Sequence, residues 1–195
     1  NRSGNSTPIV VTIDSTAPGA PTITGYSTDT GPVGDGITSD NTLTVTGTAE
    51  AGSAVTVSFN GVHQGTTTTA ANGIWSMTAP AVVDGVYMIR ATAQDVAGNT
   101  SPASNSLVVT VDASAATPTI TGFSTDTGTP DDAITCDPTL TITGTADPNC
   151  TVTVSFNGAV DGTATTDPSG NWTYNASSKP DGVYTITSRC DDPAG

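Results

Sequence analysis

The chain has 195 residues, 34% of them hydrophobic and 5% aromatic, and a formal net charge of -14 from 18 acids set against Arg2, Arg90, Lys179 and Arg189. A surface so acidic repels phosphate, which argues against nucleic acid or an anionic membrane as partner, and no stretch is long and apolar enough to insert into a bilayer as a helix. Seventeen of the 18 acids are Asp, with Glu50 the exception; Asp forms turns and supplies hard oxygen ligands, so the bias points to calcium as well as to solubility.

Thr and Val favour strands while Gly, Pro, Asn and Asp punctuate turns, and no segment shows a helical period, so the chain reads as all-β. Residues 1–17 open it with the apolar run Pro8, Ile9, Val10, Val11, Thr12, Ile13 and Asp14, a strand with no module in front of it. Strands then follow near 21–26, 42–49, 54–60, 64–70, 73–79, 86–94 and 106–112. In them Leu43, Val45, Val55, Val57, Phe59, Trp75, Tyr87, Ile89 and Ala91 alternate with Thr and Ser, as half-buried antiparallel strands require. Seven short strands in about 97 residues, with turns every 8–12, predict an immunoglobulin-like β-sandwich.

The second half repeats the first. "PTITG" at 21 recurs at 118, and from there to the end 43 of 78 aligned positions are identical without a gap. The organisation is thus one module over 18–113 and a second over 114–195 that lacks its last strand. Joining the closing "DDPAG" to the opening "NRSGNSTPIVVTID" reproduces Gln94 to Asp112 in register, with Asp14 on Asp112 and Ile13 on Val111. The strand missing from the second module is therefore the one at the front of the chain, and residues 1–17 read as the last strand of a preceding module. Because seven alternating strands enter at one pole and leave at the other, tandem sandwiches are expected to stack end to end, each adding roughly 35–45 Å.

The strings "GTAEAGSAVTV", "NGIWSMT", "DGVY", "DVAGN" and "VTVD" resemble the bacterial immunoglobulin-like repeats of giant secreted surface adhesins, over essentially the whole chain. The resemblance implies secretion to the cell surface, extension of a tip away from the cell, and calcium near module junctions.

The pole argument sorts the acids independently. One junction gathers Asp29, Asp35, Asp40, Asp84 and Asp112 from the first module with Asp147, Asp191 and Asp192 from the second. Asp14, Glu50 and Asp95 belong to the junction before it, and Asp126, Asp132, Asp137 and Asp181 to the one after. Six to eight such oxygens at about 2.3–2.6 Å satisfy Ca2+, although Asp also caps turns without any metal. Cys136, Cys150 and Cys190 replace Ser39, Ser53 and Ala93 of the first module. Cys150 and Cys190 fall at strand ends that share a pole, so they are expected to pair, with Cys136 left over.

Catalysis finds no support. His63 is the only His and its repeat counterpart is Val160, and there is no nucleophile elbow, metal-ligand spacing or phosphate-binding loop. The reading is an extracellular structural stalk or filament segment: a calcium-stiffened rod of Ig-like modules whose partners are identical modules stacked head to tail and an unknown surface receptor, if any. An alternative is a subunit that polymerises by donating Pro8–Asp14 to its neighbour's incomplete module. A carbohydrate-binding module is a further alternative, for which only the two Trp are candidates.

Overall fold

A computed structural model describes residues 4–129, 132–192 and 194. Residues 1–3 of the opening segment, 130–131 of the second long loop, and 193 and 195 of the closing turn lie outside the described residues. Its strands are β1 (Thr22–Ser27), β2 (Ile37–Thr38), β3 (Thr44–Thr48), β4 (Ala54–Phe59), β5 (Val62–Thr68), β6 (Ile74–Thr78), β7 (Gly85–Gln94), β8 (Leu107–Val111), β9 (Thr119–Ser124), β10 (Thr141–Thr145), β11 (Thr151–Phe156), β12 (Ala159–Thr165), β13 (Asn171–Asn175) and β14 (Ile186–Asp191). By contacts the chain divides into a unit of Asn1–Thr28, Thr42–Val82 and Val86–Val109 and a unit of Asp29–Asn41, Val83–Gly85 and Thr110–Gly195.

The fold is all-β. The first repeat builds a three-stranded sheet, β1-β3-β6, and a five-stranded sheet, β2-β8-β7-β4-β5. Val45, Val55, Val57, Phe59, Trp75, Ile89 and Val109, contributed by both sheets, are buried, while the intervening Thr and Ser face outward, as a period of two demands. Tyr87 is half-buried and its ring lies 5.8 Å from that of Phe59. The sequence anticipates a bare loop before β3. Instead the loop doubles back, and Ile37 and Thr38 pair in parallel with Thr110 and Val111 as β2, which covers the outer edge of β8 and buries Thr38.

Two local rules recur in both repeats. In "FNG", Asn60 and Gly61 have φ of 48° and 81°, and Asn157 and Gly158 have 50° and 81°. These are the left-handed values that a two-residue hairpin loop needs, which is why Asn-Gly joins β4 to β5 and β11 to β12. In "TGT", a Cβ on Gly47 would sit 2.0 Å from the Thr22 carbonyl oxygen and 2.5 Å from the Trp75 ring, and on Gly144 2.0 Å from Thr119 O and 2.4 Å from the Trp172 ring. The missing side chain is what lets each indole lie flat on its sheet.

The second repeat pairs β13-β10-β9 and β12-β11-β14 around Ile142, Val152, Val154, Phe156 and Trp172. Here β14 pairs only with β11, and no strand among the described residues stands where β8 stands beside β7. A cavity of about 520 Å³ occupies that place. Its lining comes from Ala133–Thr135, the repeat of β2 and its approach, from Gly182–Ile186, the repeat of the start of β7, and from Phe123 and Leu140. Consequently Ile186 and Leu140 are only half-buried where their counterparts Ile89 and Leu43 are fully buried, and Ile134 is 68% exposed.

Candidate functional site

Four of the acids assigned to one junction share a field, and all lie in the second unit. Asp112 leaves β8 with its N–H donated to Thr38 O at 2.9 Å. Burial, followed by the charges of Asp192, Asp84 and Asp147, pushes its carboxyl above the ordinary Asp range. Asp84 is held below that range by the Ser114 hydroxyl and then by the Ala113 N–H, at 2.9 Å. Asp147 accepts the Ala116 N–H, and Asp192 accepts the Ala194 N–H at 2.6 Å. Of the other acids in this group, Asp29 and Asp35 accept the N–H groups of Gly34 and Ile37 at 2.6 and 2.8 Å. Asp40 donates its own N–H to Thr38 Oγ1 at 3.0 Å, and Asp191 pairs with Arg189 at 2.7 Å.

In the earlier group one amide links Asp14 and Asp95. Asn99 Nδ2 donates to Asp14 O at 3.2 Å and to Asp95 Oδ2 at 2.9 Å, and that side chain is the main reason the Asp95 carboxyl is held below its usual range. Asp14 Oδ1 accepts the Thr16 N–H at 3.0 Å, and the Glu50 carbonyl caps Ser53. In the later group, Asp132 accepts the Ile134 N–H at 2.9 Å, while Asp137 takes both the N–H and the hydroxyl of Thr139 at 2.8 Å, which lowers its carboxyl. Asp126 is partly buried and Asp181 exposed.

Asp14, Asp29, Asp35, Asp95, Asp132, Asp137 and Asp192 thus each accept a hydrogen bond from a turn in their own loop. Among the described residues no three His, Cys, Asp or Glu side chains converge closely enough to hold a metal ion. The positions around Asp112 are those of a field of carboxylates and not of a coordination shell.

Cys150 and Cys190 form a disulfide, with a Cα–Cα distance of 6.0 Å, and Cys136 is free and exposed. The bond joins the residue before β11 to the end of β14, a diagonal step from the Val152↔Cys190 pair. The apolar opening segment forms no strand; Ile9, Val10, Val11 and Ile13 are 86%, 94%, 69% and 89% exposed.

Comparison with known proteins supplies the family. The model of the bacterial Ig-like domain matches residues 16–113 and again 114–195. The chain belongs to that family. No curated protein matches this bacterial Ig-like pair. Among solved structures it is similar to the tetra-tandem repeat in the extending region of a large adhesion protein, at 24% identity over 94% of this chain and 47% of that one, with a TM-score of 0.37. A structure concerned with host cell surface retention of a 1.5-MDa bacterial ice-binding adhesin gives 27% identity, coverage of 83% and 54%, and a TM-score of 0.32. The BSP domain of a biofilm-associated protein gives 22%, 80% and 26%, and 0.31. The chain therefore spans from about a quarter to about half the length of these structures. Among its described residues no helix is long and apolar enough to cross a membrane.

One cluster in the second Ig-like repeat is not among the residues singled out from sequence. The Asp161 carboxylate takes an ion pair from Lys179, the Tyr174 hydroxyl at 3.1 Å and the Ser177 N–H at 3.0 Å, with only 8% of its side chain exposed. The ammonium of Lys179 also sits 4.6 Å above the Phe156 ring. Burial opposes the charge on Asp161, but Lys179 and Ser177 outweigh it and hold the carboxyl far below its ordinary value; burial and Asp161 together raise the Tyr174 hydroxyl. The signal lay in the repeat alignment. The only Lys and an additional acid enter together, replacing Val82 and Gln64 of the first repeat.

Proposed function

We propose that this chain is a length of extracellular stalk from an adhesin-type surface protein, carrying load through successive sandwiches without catalysing a reaction, with calcium drawn to the acids around Asp112 to stiffen it. The observation that carries this reading is the crowding of Asp84, Asp112, Asp147 and Asp192 where one bacterial Ig-like domain gives way to the next at residues 113 and 114. Unneutralised carboxylates repel one another, and that repulsion is relieved by the millimolar calcium of extracellular fluids, the range in which extracellular modules bind it. Strands that run the length of each sandwich then bear tension along their own axes.

Small-angle scattering in chelator and in millimolar calcium tests this. The stalk reading expects a maximum dimension of about 70–90 Å in calcium, with a looser distance distribution after chelation. Identical profiles in both buffers, with no calcium uptake by titration calorimetry up to several millimolar, overturn the calcium element. A compact particle in both buffers overturns the stalk.

A further inference from the structure

We infer that the second Ig-like repeat cuts its own chain at the Asp147–Pro148 peptide bond, the Asp147 carboxylate acting on its own main-chain carbonyl and water completing the hydrolysis. Asp-Pro occurs at 137–138, 147–148, 167–168 and 192–193, always in the second repeat. The first repeat has Asp40-Asn41, Glu50-Ala51, Ala70-Ala71 and Asp95-Val96 at those places. An Asp carboxylate reaches its own carbonyl carbon by closing a five-membered ring, which requires no encounter between separate reactants. Proline contributes the leaving group, because its nitrogen, part of a tertiary amide, takes up a proton more readily than that of an ordinary peptide bond.

One of these bonds has a prepared carbonyl. Asp147 O accepts the Thr166 hydroxyl at 2.5 Å. Thr166 is 3% exposed, and its oxygen accepts the Cys150 N–H at 2.8 Å, which leaves its single proton aimed at the carbonyl. The same Cys150 N–H lies 3.4 Å from Asp147 O. Of the Asp147 carboxylate, Oδ2 accepts the Ala116 N–H, and Oδ1 takes no hydrogen bond among the described residues. At the other two described pairs the carboxylate is tied to the residues that follow it. Asp137 Oδ1 takes the N–H and the hydroxyl of Thr139, both at 2.8 Å, and Asp167 Oδ1 takes the N–H groups of Ser169 and Asn171, both at 2.9 Å. The first repeat prepares the same carbonyl without using it. Glu50 O accepts the Ser53 N–H at 3.1 Å and its hydroxyl at 2.7 Å, but the longer Glu arm closes a larger ring and Ala51 is a poorer leaving group. The donors therefore belong to the fold, and the Asp-Pro pair is what the second repeat adds.

The steps balance with water as the one co-reactant. Asp147 Oδ1 bonds to the Asp147 carbonyl carbon, and the carbonyl electron pair moves onto the oxygen that Thr166 holds. Collapse of that intermediate breaks the bond to Pro148, whose nitrogen leaves with a proton taken from water. The cyclic anhydride remaining on Asp147 then adds water and opens to two carboxyl groups. Each chain reacts once. The cut lies outside the loop closed by Cys150 and Cys190, so the disulfide does not hold the products together, and β9 and β10 part from β11–β14. In a stalk, the reading given above, that is a point of release under tension; the scission itself does not depend on that reading.

The 195-residue chain tests this in a mildly acidic, chelator-containing buffer in which circular dichroism shows it folded, beside the same buffer with urea, by intact-mass spectrometry without reduction. We expect residues 1–147 and 148–195 to accumulate, together one water heavier than the parent, and to do so faster from the folded chain than in urea. Thr166→Val slows that cut at least about 10-fold, as loss of a donor to the developing oxyanion requires. Asp147→Glu, which keeps the charge and the donors on the carbonyl, leaves the bond whole. The inference is overturned by a folded chain that stays intact, by scission at 147–148 no faster folded than in urea, by an Asp147→Glu chain cut as fast as the wild type, or by a folded Thr166→Val chain that is.

Discussion

Gly144 and Asp161 show how much a single position controls in the second sandwich. At Gly144 a methyl group would have to share space with a backbone carbonyl oxygen at 2.0 Å and an indole carbon at 2.4 Å, and neither can move without breaking the β9–β10 pairing or lifting Trp172. Gly144→Ala is therefore expected to cost about 3 kcal/mol or more, read as a lower thermal midpoint. Gly25→Ala, where nothing lies within 4 Å of the added carbon, is expected to leave the midpoint unchanged. At Asp161 the loss is electrostatic. Asp161→Ala strands the ammonium of Lys179 in a site where its side chain is 18% exposed, at an expected cost of about 3 kcal/mol or more. The double change Asp161→Gln with Lys179→Val restores the first repeat's residues and should recover most of that. Because folding lowers the Asp161 carboxyl, its contribution is present above the ordinary value of 3.8 and declines as pH falls below it. Acid titration should show the wild type losing stability relative to the double variant as pH falls below about 4, and parallel curves would contradict this account.

Among the elements, β14 differs most from its counterpart: among the described residues it pairs with β11 alone, whereas β7 runs between β8 and β4. The disulfide stitches the far end of β14 to the start of β11 across 40 residues, and a closed loop of that length restrains the unfolded chain by roughly 3–4 kcal/mol. Reduction, or Cys150→Ser with Cys190→Ala to restore the first repeat's residues, is expected to lower the melting transition of the second unit by that amount and leave the first unit's in place. A loss shared equally by both transitions would place the stabilisation elsewhere. Asn157 supports the stretch before β14 in a second way, accepting the Thr185 N–H at 2.7 Å and donating to Val183 O at 3.1 Å.

Charge governs the molecule as a whole. With -14 net and Asp112 facing three other carboxylates, folding is opposed by repulsion that no Lys or Arg offsets there. Since the Asp112 carboxyl is raised by folding, its contribution favours the folded state below the ordinary Asp value and is lost as pH rises through the folded one. At neutral pH without calcium, Asp112→Asn is therefore expected to raise the melting temperature by a few degrees. In millimolar calcium the wild type should gain more than the variant does. Equal gains from calcium in both would remove Asp112 from any cation's reach.

Periodicity two, the Asn-Gly turns and the 97-residue repeat made the sandwich and most of its inward residues readable from the chain alone, because strand alternation and left-handed turn geometry are local rules that each residue obeys with its neighbours. The pairing of Ile37 and Thr38 with β8 was not readable. It depends on where a loop travels, and a two-residue strand has no period. Nor did the pole argument show which acids meet. It grouped eight at one junction, but only Asp84, Asp147 and Asp192 act on Asp112, since the distances between loop carboxylates are set by backbone paths that composition does not encode. The Asp161–Lys179 pair likewise exists only once distant segments are folded against each other. Short-range geometry is written in the sequence, while the charges and surfaces that meet across it belong to the tertiary structure.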